Sequence, residues 1–174
     1  MQTPFIQPLP EEQAYPLPPE DEGSETGAGV EALVLKLLAL ARQARALELA
    51  SHLIHLNYEG REFLEVHGFL KGRYETHLEQ FDALAEFVRT LDYLIPWDFC
   101  CSTDELPHPL TPGCAGQELL VCYLRNLEAY GMAAKELVEC ARCAEAPDAE
   151  NYGAELVADS FKAAWFLKAL LRGA

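Results

Sequence analysis

From Phe63 to Ile95 apolar residues follow one another at steps of three or four: Phe63, Leu70, Tyr74, Leu78, Phe81, Ala85, Val88, Leu91 and Ile95, with His67 on the same line. That spacing keeps one stripe of an α-helix facing one way. It predicts a single helix over residues 62–94, closed by Pro96, which cannot donate the next helical hydrogen bond. At 1.5 Å per residue such a helix is about 50 Å long, more than a small globule can enclose. A chain committed to it must surround it with other long helices, and the feature points to a bundle.

Three further segments supply those helices. Residues 30–58 are rich in Leu and Ala at helical spacing. Residues 116–144 carry Leu119, Leu120, Tyr123, Leu127, Tyr130, Ala134 and Leu137 as a second stripe. The last segment follows Pro147 and Asp148, with Asp148 expected in the N-cap region, and ends in SFKAAWFLKALL, residues 160–171. Residues 96–115 hold four prolines and read as a long crossover with a short helix inside it. No segment alternates with period two, and no repeat is present. The expected fold is all-α: a ferritin-like four-helix bundle over residues 29–174, with one long crossover between the second and third helices. Residues 1–28 contain six prolines and six acidic residues and run into GSETGAG, so a flexible acidic, Pro-rich tail is expected there.

Against 28 acidic residues stand 13 Lys and Arg, a formal charge of -15, and none of the basic residues precedes Lys36. Phosphate backbones need a basic face, so free-standing nucleic-acid binding is not expected. The most hydrophobic stretch, residues 32–50, is interrupted by Lys36, Arg42 and Arg45 and is read as a core helix rather than a membrane span. The N-terminus shows neither a basic n-region nor an apolar h-region, which points to a cytoplasmic protein with reduced thiols at its six cysteines. Cys140 and Cys143 form a C-x-x-C within a helical pattern but lack a second pair at zinc-finger spacing.

Two of the five histidines, His55 and His67, flank the break HLNYEGREFLEVH. On one unbroken helix they would lie about 18 Å apart. If Gly60 lets the chain turn, they can face each other across the junction. Asp82 and Glu86 are four apart and leave the same helix face, at the margin of the apolar stripe. Such an i, i+4 pair is most often a solvated surface, unless a cation pairs with it. Fifteen residues, roughly 22 Å of helix, separate His67 from Asp82. A site built from all four must therefore join two copies of the chain across a two-fold axis, and its N and O ligands suit iron, manganese or zinc.

These positions resemble the Dps family of mini-ferritins. The family pattern is H-W-N, then F-x-x-L-H, a Tyr seven residues on, and D-x-x-x-E beginning fifteen after the second His. The chain has His55-Leu56-Asn57, Phe63-Leu64-Glu65-Val66-His67, Tyr74, Asp82 and Glu86. Lys162-Ala-Ala-Trp165-Phe-Leu-Lys is similar to the family's E-K-x-x-W-M-L segment. The resemblance spans residues 30–172. It implies a hollow dodecamer built from two-fold dimers, Fe(II) oxidation with peroxide preferred over dioxygen, and ferric mineral stored inside. The implied iron ligands are His55, Asp82 and Glu86, with His67 toward a second position. Acidic pores of the family would fall near Asp148, Glu150 and Glu155, residues that otherwise suit an ordinary helix start.

Three departures stand out. Lys71 occupies a position, four after the second His, where the family has an acidic ligand; a protonated lysine cannot ligate iron. Leu56 replaces the usual Trp, and Phe161 replaces a Glu. Basic tails carry DNA binding elsewhere in the family, and the acidic tail here does not. Two other readings stay open: a ferritin-like shell lacking ferroxidase activity, which Lys71 favours, and a non-cage bundle enzyme with a mononuclear metal.

Overall fold

The computed structural model describes residues 25–97, 99, 103–111 and 113–173. Four α-helices dominate: α1 (Glu25–Asn57), α2 (Phe63–Thr90), α3 (Gln117–Cys143) and α4 (Pro147–Arg172). A 3-10 turn, Thr103–Glu105, lies in the crossover. Short turns join α1 to α2 and α3 to α4, making two hairpins, and α1 packs on α3 to close the bundle. The tail expected over residues 1–28 falls outside the described residues as far as residue 24, and α1 already begins at Glu25.

α1 touches α2, α3 and the crossover turn. A helix covered on several sides needs apolar residues almost all round, and Leu33, Val34, Leu37, Leu40, Ala41, Ala44 and Leu47 are all fully buried. The α3 stripe from Leu119 to Leu137 is buried as its spacing predicts.

α2 differs from expectation. Its buried face is Val66, Leu70, Arg73, His77, Gln80, Leu84 and Val88, which keeps Leu70 and Val88 of the expected stripe but leaves out Phe63, His67, Tyr74, Leu78 and Phe81. Phe63 and Leu78 are exposed, at 40% and 49%. Hydrophobic periodicity finds apolar side chains. Here polar ones are buried because partners on α3 and α4 satisfy them.

α2 also ends at Thr90, short of Leu94, and Pro96 plays no part in stopping it. Asp92 takes a left-handed φ of 63°. Its N–H donates to the Arg89 carbonyl (3.1 Å) and that of Tyr93 to the Val88 carbonyl (3.3 Å), the pattern of a Schellman cap. α3 ends the same way. Glu145 has φ 54°, and the N–H groups of Glu145 and Ala146 reach the carbonyls of Arg142 (3.2 Å) and Ala141 (2.9 Å). Pro147 then opens α4 with its fixed φ, and the N-cap is Ala146 rather than Asp148, which sits in the first turn. The crossover is pinned to α3 by buried Asn126, whose amide donates to the His108 carbonyl (2.7 Å) and accepts from its N–H (2.9 Å).

Candidate functional site

The turn over residues 58–62 brings His55 and His67 together. Their rings stack with centroids 3.7 Å apart. Each Nδ1 meets the backbone carbonyl of the other residue, at 2.9 Å for His55 and 3.1 Å for His67. A carbonyl only accepts, so both Nδ1 atoms carry a proton, and in the neutral ring each Nε2 then keeps its lone pair. That is the tautomer a metal ligand needs, held by its own backbone. Gly60 serves this turn through close approach rather than a left-handed φ: a Cβ there would sit 2.6 Å from the Tyr58 hydroxyl. The stack continues on both sides, through Phe63 on His67 (5.1 Å) and Tyr74 edge-on to His55 (5.4 Å), with His52 stacked on Tyr74 (4.2 Å).

Asp82 and Glu86 are exposed rather than at a core margin. No ion pair holds them among the described residues, and no group of three His, Cys, Asp or Glu among those residues is placed to hold a metal within one chain. Lys71 is exposed and lies 4.0 Å from Glu75 one turn on. Of the three pore candidates, Asp148 and Glu155 are exposed, while Glu150 accepts from Arg142 at 2.8 Å. Cys140 and Cys143 are free thiols, as are Cys114 and Cys122; Cys100 and Cys101 lie outside the described residues.

The Ferritin family model, described as a ferritin-like domain, matches residues 36–173. The chain belongs to the ferritin-like family. No curated protein matches its sequence. Among solved structures it is similar to Dps from Thermosynechococcus elongatus, at 21% identity and a TM-score of 0.76 over 85% of this chain and 95% of that one. A Dps from Vibrio cholerae O1, described as a member of a broad superfamily of ferritin-like diiron-carboxylate proteins, is 18% identical with a TM-score of 0.74, covering 91% of this chain and 99% of that one. CAIP from Helicobacter cinaedi is 23% identical, with a TM-score of 0.69 and coverage of 80% and 99%. At these identities the likeness is one of fold. This ferritin-like chain has the same bundle as the Dps proteins, and no described helix is long and apolar enough to cross a membrane.

Inside this ferritin-like bundle lies a second polar cluster that periodicity missed. Arg73 donates to both oxygens of Asp159 on α4, at 2.9 and 2.7 Å. The Gln80 amide nitrogen donates to the same carboxylate (2.9 Å), which turns its oxygen toward His77 Nδ1 (2.9 Å). His77 Nδ1 must therefore donate, and its Nε2 accepts from the Tyr123 hydroxyl on α3 at 2.8 Å. Burial, aided by the Arg73 charge, pushes the His77 pKa down to about 3, so the ring is neutral. Burial pushes Tyr123 up to about 12. Asp159 is opposed by burial, yet the Arg73 hydrogen bonds hold it below the usual carboxylate range. A readable signal existed in the spacing of Arg73, His77 and Gln80, four and three apart on one helix face.

Proposed function

We propose that the protein is a mini-ferritin of the Dps kind, which oxidises Fe(II) at sites between two subunits and stores Fe(III) inside a hollow homo-oligomeric shell, a dodecamer by its family resemblance. Peroxide is the preferred oxidant, and consuming it together with Fe(II) protects a cytoplasm from oxidative damage. The observation that carries this reading is the reciprocal His55–His67 lock, which leaves two Nε2 lone pairs free at the α1–α2 turn. Asp82 and Glu86, exposed and without ion-pair partners among the described residues, are the carboxylates of a second copy that complete the site. Exposed Leu56, Phe63 and Leu64 surround the turn, an apolar surface suited to burial against that copy. His55, Asp82 and Glu86 hold the iron to be oxidised, and His67 faces a weaker second position beside Lys71. Asp148, Glu150 and Glu155 line admission pores. With net charge -15, the protein attracts cations and does not retain DNA.

A second reading, a shell without ferroxidase activity, is favoured by Lys71 alone. The two are separated by peroxide-driven Fe(II) oxidation in the assembled protein, beside Glu86→Ala. Rapid oxidation to a soluble ferric product, lost in the variant, is expected. No acceleration over buffer by the native assembly would instead make Lys71 the closure of the site and the protein a container.

A further inference from the structure

Two thiols from different segments meet at the start of α3. Cys114 precedes the helix and Cys122 lies in its second turn, yet the two side chains are in hydrogen-bonding contact. Both are free and half-buried. The chain between them reverses with the help of two positive-φ glycines, Gly113 at 98° and Gly116 at 52°. The Cys114 N–H donates to the Thr111 carbonyl at 3.2 Å, and the Thr111 hydroxyl meets Cys114 Sγ at 3.0 Å. Cys114 is thus held in a tight turn with its sulfur toward α3.

Cys140 and Cys143 provide an internal comparison. They sit one turn apart on the same face of α3. Helix neighbours at that spacing hold their Cβ atoms about 5–6 Å apart, whereas a disulfide needs about 3.5–4.5 Å. Closing that pair would distort the end of α3. Cys114 reaches α3 only through Ala115 and Gly116, so it can move toward Cys122 without bending a helix. A metal suits neither pair. Tetrahedral zinc needs more ligands than two thiols, and no group of three His, Cys, Asp or Glu among the described residues is placed to hold an ion.

We propose that Cys114 and Cys122 close a reversible disulfide when hydrogen peroxide reaches the protein, with Cys114 as the attacking sulfur. The donors around each thiol assign the roles. An ionised Cys114 Sγ accepts from both the Thr111 hydroxyl and the Cys122 S–H. Cys122 keeps its proton, because burial and then the neighbouring Cys114 push its thiol up. The Cys114 thiolate attacks one peroxide oxygen, the O–O bond breaks, and the departing hydroxide takes up the proton that Cys114 released. The Cys122 sulfur then displaces the sulfenic oxygen, which leaves with the Cys122 proton as a second water, and the S–S bond forms. In sum each sulfur loses one electron and one peroxide becomes two waters. A thiol reductant reverses the bridge. The bridge fixes the start of α3, which lies against the turn that carries His55 and His67: a Cβ on Gly116 would stand 3.5 Å from the Glu59 carbonyl. Peroxide alone drives the reaction, so the assignment does not depend on the ferroxidase reading.

The test uses the assembled full-length protein, reduced, freed of iron and exposed to a small excess of hydrogen peroxide. Remaining thiols are alkylated and the proteolytic peptides mapped by mass spectrometry. A bridge joining Cys114 to Cys122 is expected, lost after reduction, with Cys140 and Cys143 alkylated. Absence of that bridge, or equally ready closure of Cys140 to Cys143, overturns the proposal. Because this reading is made on the native chain, it stands whether or not a cysteine variant folds. Sulfenic acid is then trapped with dimedone in Cys122→Ser and in Cys114→Ser. Labelling of Cys114 in the first and its loss in the second are expected; labelling of Cys122 in Cys114→Ser to the same extent overturns the choice of attacking sulfur. Amide exchange at residues 58–62 should slow on oxidation and recover on reduction, and no change there refutes the coupling to the histidine turn.

Discussion

The guanidinium of Arg73 and the carboxylate of Asp159 meet through two parallel bonds, 2.9 and 2.7 Å long, that tie α2 to α4. Arg73 is almost wholly buried, so its charge depends on that carboxylate. Burial alone would lower the arginine pKa, but hydrogen bonding to Asp159 raises it above its ordinary value. The pair holds one end of the polar cluster in place, and everything from Gln80 to Tyr123 is oriented from it.

Removing one partner is therefore expected to cost more than removing both. Asp159→Ala leaves a buried cation uncompensated and should destabilise by about 3 kcal/mol. The double replacement Arg73→Leu with Asp159→Leu should recover most of that loss. Urea denaturation at matched protein concentration measures the difference; equal losses in single and double variants would show that the two residues are not coupled.

His77 gives stability a pH dependence whose sign follows from its lowered pKa. The groups facing it are Arg73, Gln80 and Asp159 of the cluster, with Tyr123 and Tyr130 from α3. The ring is neutral when folded, with a pKa of about 3 against 6.5 in the unfolded chain. Unfolding thus takes up a proton between those values. The contribution is fully present above about pH 6.5 and declines as pH falls toward 3, by about 1.4 kcal/mol per unit. Asp159, also depressed, loses its contribution only in the more acidic carboxylate range, as pH falls through its folded pKa. His77→Gln should flatten the stability profile between pH 6 and pH 4, as read by denaturation midpoints across that interval.

Lys71→Asp should increase Fe(II) binding per intersubunit site and speed peroxide-driven oxidation. It replaces an exposed cation paired only loosely with Glu75, so the fold should be unaffected. Equilibrium Fe(II) titration and circular dichroism on the same sample check both halves. A folded variant with unchanged stoichiometry would clear Lys71 as the block.

Glu145 holds a left-handed conformation that glycine adopts without steric cost. Glu145→Gly should stabilise the protein by about 1 kcal/mol. Asp92→Gly should gain less, because a short polar side chain already tolerates that region. Thermal unfolding of the two variants side by side reads the order.

Periodicity and punctuation alone determined the four helices, the long crossover and the turn at residues 58–62, because long amphipathic segments carry their helical state in local spacing. Recurrence of His55, His67, Asp82 and Glu86 at those intervals was likewise enough to bring the two histidines to one turn and keep the carboxylates a long way up α2. Only the tertiary structure decided which face of α2 is buried. Arg73, His77 and Gln80 look like surface residues until Asp159 and Tyr123, 86 and 46 positions further along the chain from Arg73 and His77, arrive to satisfy them. Local composition cannot announce such partners, since the free energy that permits a buried polar side chain belongs to the pair and not to either residue. For the same reason Asp92, well before Pro96, ends α2: a Schellman cap depends on where the following backbone folds, not on which residue is forbidden in a helix.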